Sequence, residues 1–170
     1  VALVFFSMTI NRNEDWQSNE TLYAADIEKL PNGALAHQRL ATVYQIEGDR
    51  KGNRASQVAA YRKAIPLLEK AISIHPYPDF YRQLGELYGA TDQWKLMIEA
   101  EEKFVALDSS DAEVWMQLGV AHAMTQKARP AARAFEKALE LNPTDITTMN
   151  NLAKTYAALK RPEEAVKLFN

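Results

Sequence analysis

Cysteine is absent from the 170-residue sequence, which excludes disulfides, thiolate nucleophiles and cysteine-ligated zinc. Glycine and proline are sparse, at 6 and 7 residues, too few for a collagen-like or low-complexity chain. A basic excess is missing as well. The formal net charge is −2, whereas nucleic-acid binders draw most of their affinity from lysines and arginines that neutralise phosphates, so no nucleic-acid partner is expected. The sequence holds no Gly-x-Ser-x-Gly elbow, no phosphate-cradling glycine loop and no His-Glu-x-x-His pair. Catalytic residues, cofactors and a metal site are accordingly not expected, and the segment does not read as an enzyme.

What is present is material for a packed core: 47% of residues are hydrophobic and 25% charged, the balance of a folded chain. The apolar positions also repeat. "YRQLGELY", "WMQLGVAH" and "MNNLAKTY" start at 81, 115 and 149, a period of 34 residues. Each opens on a bulky residue, places leucine three residues on with a small residue behind it, and ends on an aromatic ring. After the second run comes "PAARAFEKALELNP", where Ala131, Phe135 and Ala138 lie on one helical face closed by Pro143.

This period and residue order resemble the tetratricopeptide repeat. The resemblance implies an all-α fold, a right-handed α-solenoid of antiparallel helix pairs, with a concave wall formed by the first helix of each pair. Aligned on it, residues 14–33 form a half-repeat helix, 34–77 a repeat with an insertion, 78–111 and 112–145 two further repeats, and 146–170 a truncated one. Gly85, Gly119 and Ala153 are expected to admit close helix approach, with Tyr88, Phe135 and Tyr156 filling the gaps.

The pattern breaks at "EGDRKGNRASQVAA", where Gly48 and Gly52 mark an expected end of the first helix. The basic residues Arg50, Lys51 and Arg54 read as a solvated turn, or else as a contact for an acidic partner or lipid headgroup. A second helix is predicted over 53–74, kinked at Pro66. His37 and His122 fall on core positions and read as packing residues. Glu99, Glu101 and Glu102 read as an outward, solvated face of a second helix, although Glu101 stands where the repeat has a large apolar residue.

A peptide or protein ligand is the expected partner of the concave wall. Gln83, Gln117 and Asn151 recur there at one repeat position, each offering amide donors and an acceptor. Such a row serves either to grip a peptide backbone, as an asparagine ladder does in some tetratricopeptide proteins, or to bond neighbouring helices. Arg82, Glu86, Met116, Val120, Asn150 and Lys154 complete the candidate peptide-binding set. The lysine-and-asparagine clamp of chaperone-binding relatives is not matched, because Gln38, Thr42 and Glu113 occupy its places.

The opening run, residues 1–10, carries no charge but is half the length of about twenty residues that a bilayer requires. Both ends read as cut, which makes residues 1–13 the end of a transmembrane helix and its junction, and self-association through the truncated ends an expected hazard. Arg12, Asn13, Trp16, Leu22, Tyr23, Asp26, Pro31 and Asn32 resemble the junction in the multispanning transmembrane-and-tetratricopeptide family. That resemblance implies a glycosyltransferase-like membrane part and repeats on the periplasmic or lumenal side. Residues 11–30 carry five acids against two bases, in keeping with an extracytoplasmic flank. The expectation is a non-catalytic interaction scaffold tethered to a membrane at its N-terminal side. The alternatives are a substrate-recruiting region of a membrane glycosyltransferase and a soluble, cytoplasmic assembly adaptor.

Overall fold

Short polar side chains cap four of the described helices. Ser18 accepts from the Thr21 amide at 3.1 Å, and the Thr21 hydroxyl accepts from the Ser18 amide, which together close a capping box on α1 (Asn19–Lys29). After α2 (Ala34–Asp49), Asn53 caps α3 (Arg54–Ile74) through the Ser56 amide at 2.9 Å. α4 (Pro78–Ala90) and α5 (Trp94–Leu107) follow. Asp111 and Asp145 cap α6 (Ala112–Met124) and α8 (Ile146–Ala158), and α7 (Ala128–Leu141) and α9 (Pro162–Lys167) complete the order. The computed structural model describes residues 18–169. The expectations for residues 1–13, and for Trp16, lie outside them.

The turns inside successive helix pairs are built alike. Asp92, Gln126 and Lys160 each take a left-handed conformation, with φ of 61°, 60° and 59°. The amide after each donates back across the turn: Gln93 to the Tyr88 carbonyl at 2.8 Å, Lys127 to His122 at 2.9 Å, and Arg161 to Tyr156 at 2.9 Å. This six-to-one closure satisfies carbonyls that the helix end would otherwise orphan, and here it is made without the usual glycine.

The described residues divide into two compact units, one ending at Phe80 and the other beginning at Tyr81. In the first, α2 packs against α1 and α3. The buried face of α3 runs through Ala60, Tyr61, Ala64, Ile65, Leu68 and Ala71, the spacing of one helical stripe. Pro66 lies within this helix on an exposed position, so its ring and missing N–H face water. Gly48 departs from expectation. It is a buried residue of α2, and a Cβ there would stand 2.5 Å from the Tyr61 ring. The chain breaks only after Asp49, where Gly52 has open space around it. Gly48 is thus a packing glycine.

In the second unit, α6 packs on α5 and α7, and α8 packs on α7 and α9. Phe135, Leu152 and Tyr156 form the large part of a core cluster with Ala131 and Ala132. The Phe135 ring lies directly over Gly119, where a Cβ would meet it at 2.5 Å. Replacing that glycine by alanine gains about 1 kcal/mol of helix propensity. It also forces the ring, only 1% exposed, to displace its neighbours, an overpacking cost of typically 1–3 kcal/mol. Gly119→Ala is expected to lower the urea midpoint by an equivalent of about 1 kcal/mol net, while Gly52→Ala leaves it nearly unchanged; equal midpoints for the two variants contradict this account.

Candidate functional site

Two of the three amide-row residues can be followed bond by bond. The Gln117 side-chain amide donates to Glu113 Oε1 at 3.1 Å within α6, which leaves its carbonyl and second N–H for another partner. Asn151 is half-buried on α8, and its backbone carbonyl accepts from the Thr155 hydroxyl at 2.7 Å. Gln83 is half-buried on α4. Arg82 lies over the Phe104 ring at 6.0 Å and reaches the Asp111 carboxylate at 3.8 Å, so it ties α4 and α5 to the start of α6. Glu86, Asn150 and Lys154 are exposed.

A groove of about 580 Å³ gathers three of the candidate residues, Val120, Asn151 and Lys154. Met124, Phe135, Ala123, Ala128 and Ala158 complete its apolar lining, with Thr155 at the α8 side. Val120 also packs on the core cluster beneath, so this wall is held in place by the fold. The groove has the make-up of a ligand site: mainly apolar walls, two amides (Gln126 and Asn151) and one cation. Met116 lines a smaller cleft of about 210 Å³ with Glu113 and Thr147. Gln83, Arg82, Glu86, Gln117 and Asn150 line neither. The groove also uses α7, through Ala128 and Phe135, which a wall drawn from first helices alone does not include.

Glu101 overturns the reading of the acidic run as a solvated face. Glu99 and Glu102 are exposed, but Glu101 is 0% exposed, and neither of its carboxylate oxygens has a hydrogen-bond partner. Its side chain fills the space over Gly85, whose Cβ position lies 2.9 Å from Glu101 Cγ. Phe135 does the same over Gly119 one repeat later. Burial, followed by the nearby carboxylates of Glu86 and Glu113, pushes the Glu101 carboxyl up to about 9. His37 and His122 are buried, in agreement with their packing role, and His37 Nδ1 lies 3.0 Å from the Gly33 carbonyl.

The Glu101 shift fixes a pH dependence. An unfolded glutamate titrates near 4.5, whereas the folded one holds its proton to about 9. Stability linked to this group is fully present below the lower value, declines as pH rises between the two, and levels off above the higher one. At neutral pH, holding the proton costs on the order of 3 kcal/mol relative to the unfolded chain. Glu101→Gln removes that titration and is expected to raise the melting temperature at neutral and alkaline pH while flattening its slope. A variant that melts with the same pH profile as the parent rules this out.

Tetratricopeptide repeat models match residues 112–145 and 134–167. The peroxisomal targeting signal receptor of Candida glabrata is 26% identical over 109 residues, which is 64% of this chain and 18% of that protein. The chain spans less than a third of the length of the curated relatives it matches. Among solved structures, MamA is similar with a TM-score of 0.76 at 21% identity, covering 94% of this chain and 87% of the other. YrrB, a tetratricopeptide repeat protein with an unusual peptide-binding site, is similar with a TM-score of 0.76 at 22% identity, covering 95% and 78%. The chain therefore carries tetratricopeptide repeats and has the all-α fold of tetratricopeptide solenoid proteins.

Proposed function

We propose that the chain is a non-catalytic scaffold that binds a peptide segment of a partner protein along the first helices of the unit beginning at Tyr81. The groove of about 580 Å³ carries this reading, because Val120, Asn151 and Lys154 meet there beside Met124 and Phe135. An apolar side chain of the peptide fills the groove, the Asn151 amide bonds its backbone, and Lys154 attracts a carboxylate. The amide row extends the track along α6 and α4 through Gln117 and Gln83. YrrB and the peroxisomal receptor are relatives whose names state peptide binding and targeting-signal reception, and they support the same class of partner.

The test is selection of peptides from a displayed library on the full chain, followed by affinity measurement. Asn151→Ala combined with Lys154→Glu is expected to weaken the selected peptides by about tenfold or more, with helical circular dichroism unchanged. Selected peptides that bind the folded double variant as tightly as the parent refute the assignment.

A tether to a membrane through the N-terminal side, with the repeats on its periplasmic or lumenal face, is the second part of the proposal. It rests on the charge-free residues 1–10 and on the acidic flank that follows them. No helix among the described residues is long and apolar enough to cross a membrane. In cells of origin, the protein should stay with membranes through carbonate extraction and be shielded from a cytoplasmic protease. Recovery in the supernatant removes the tether, and digestion from the cytoplasmic side reverses the orientation. A tethered scaffold also fits recruitment of substrate to a membrane glycosyltransferase.

A further inference from the structure

The unit beginning at Tyr81 has a second groove that shares no residue with the first. It measures about 560 Å³ and is bounded by α5, α6 and α7. Its walls are Val105, Trp115, Leu118 and Pro130, with buried His122 among them. Burial lowers the His122 pKa, so the ring is neutral at physiological pH and the groove remains uncharged at that point. Trp115 is fixed by its indole N–H, which donates to the Ser109 carbonyl at 3.0 Å.

Charge sits at the edges. Lys127 and Arg133 line the groove against one carboxylate, Glu102. Arg133 also lines a neighbouring groove of about 540 Å³ together with Arg129, which lies one helical turn before it on α7. The nearby cations are already engaged: Lys137 pairs with Glu140, and Arg161 pairs with Glu164. Lys127, Arg129 and Arg133 have no carboxylate partner among the described residues. Two of these cations, Lys127 and Arg133, thus line the apolar recess, and the third, Arg129, lies one helical turn from Arg133 in the adjoining groove.

We propose that this outer face of α7, with the groove it borders, is a second docking surface for an acidic peptide segment. An apolar side chain of that segment enters between Trp115 and Pro130, and its flanking carboxylates pair with Lys127, Arg129 and Arg133. Two features favour a peptide over a lipid headgroup or a nucleic acid. The recess accepts a side chain, which a flat headgroup layer does not offer, and Glu102 on its edge repels a continuous phosphate array. The bidentate guanidinium of Arg133 suits a carboxylate entering from either of the two grooves it lines.

The experiment uses the full chain and a set of short fluorescein-labelled peptides in which leucine or phenylalanine alternates with glutamate, read by anisotropy at low and raised salt. Each has a counterpart with glutamine in place of glutamate. The acidic peptides are expected to bind, to weaken as salt rises, and to lose about tenfold or more in affinity with Lys127→Glu combined with Arg133→Glu. Lys127 and Arg133 are exposed, and helical circular dichroism checks the fold. Asn151→Ala with Lys154→Glu should leave this binding unchanged, which separates it from the first groove. No binding by any acidic peptide, equal binding by the glutamine forms, or loss with the Asn151 and Lys154 variant overturns the proposal. So does capture by phosphatidylserine vesicles or a single-stranded oligonucleotide through the same cations in place of the peptides.

Discussion

Close approach between the two helices of a pair depends on a glycine in the first helix facing one large side chain of the second. Gly48 lies against Tyr61, Gly85 against Glu101 and Gly119 against Phe135, each at a separation that leaves no room for a Cβ. The contact is steric before it is energetic. It fixes how far apart the helices lie, and everything on the exposed faces of the first helices inherits that spacing. The first groove is an example: Phe135, whose ring covers Gly119, also lines it together with Asn151 and Lys154.

The same position explains Glu101. A slot shaped for a large apolar side chain over glycine accepts a glutamate of similar length, but it offers no donor to either oxygen. Desolvation then decides the charge state, because an ionised carboxylate in such a place costs far more than a protonated one. Two exposed carboxylates, Glu86 and Glu113, act on it from α4 and α6 in the same direction. Meanwhile Arg82, the cation of α4 that engages the next repeat, is directed to Asp111. The repeat therefore tolerates a buried acid through geometry and neutralisation, without an ion pair.

Periodicity made the architecture legible in the sequence, since the recurring leucine, small residue and aromatic ring are the core itself. His37 and His122 were legible for the same reason: a residue on a core position is buried whatever its chemistry. Glu101 was misread because charge was weighed above position. Its place relative to Gly85 is that of Phe135 relative to Gly119, and this comparison was available in the sequence. Gly48 was misread because glycine signals both breaks and close contacts, and only the ring of Tyr61 distinguishes them. The left-handed turns at Gln126 and Lys160 carried no residue signal, whereas Asp92 is of a type that tolerates this conformation. The grooves lay beyond reach for a different reason. They are made by three elements at once, and a wall drawn from one helix face names Val120, Asn151 and Lys154 but not Phe135, Trp115 or Arg133.

The inner face of α7 is built almost wholly of alanine: Ala131, Ala132, Ala134 and Ala138 are buried, and Phe135 is the one large side chain among them. An alanine in a tight seam has no smaller apolar substitute that keeps a good helix, since glycine sacrifices propensity and every other residue adds volume. Mutational tolerance along this face is consequently one-sided. A seam of large side chains erodes by small losses that neighbours relax into, whereas this one meets nearly every change as a collision. Substitutions that leave the helix spacing undisturbed are thereby confined to the outer face of α7.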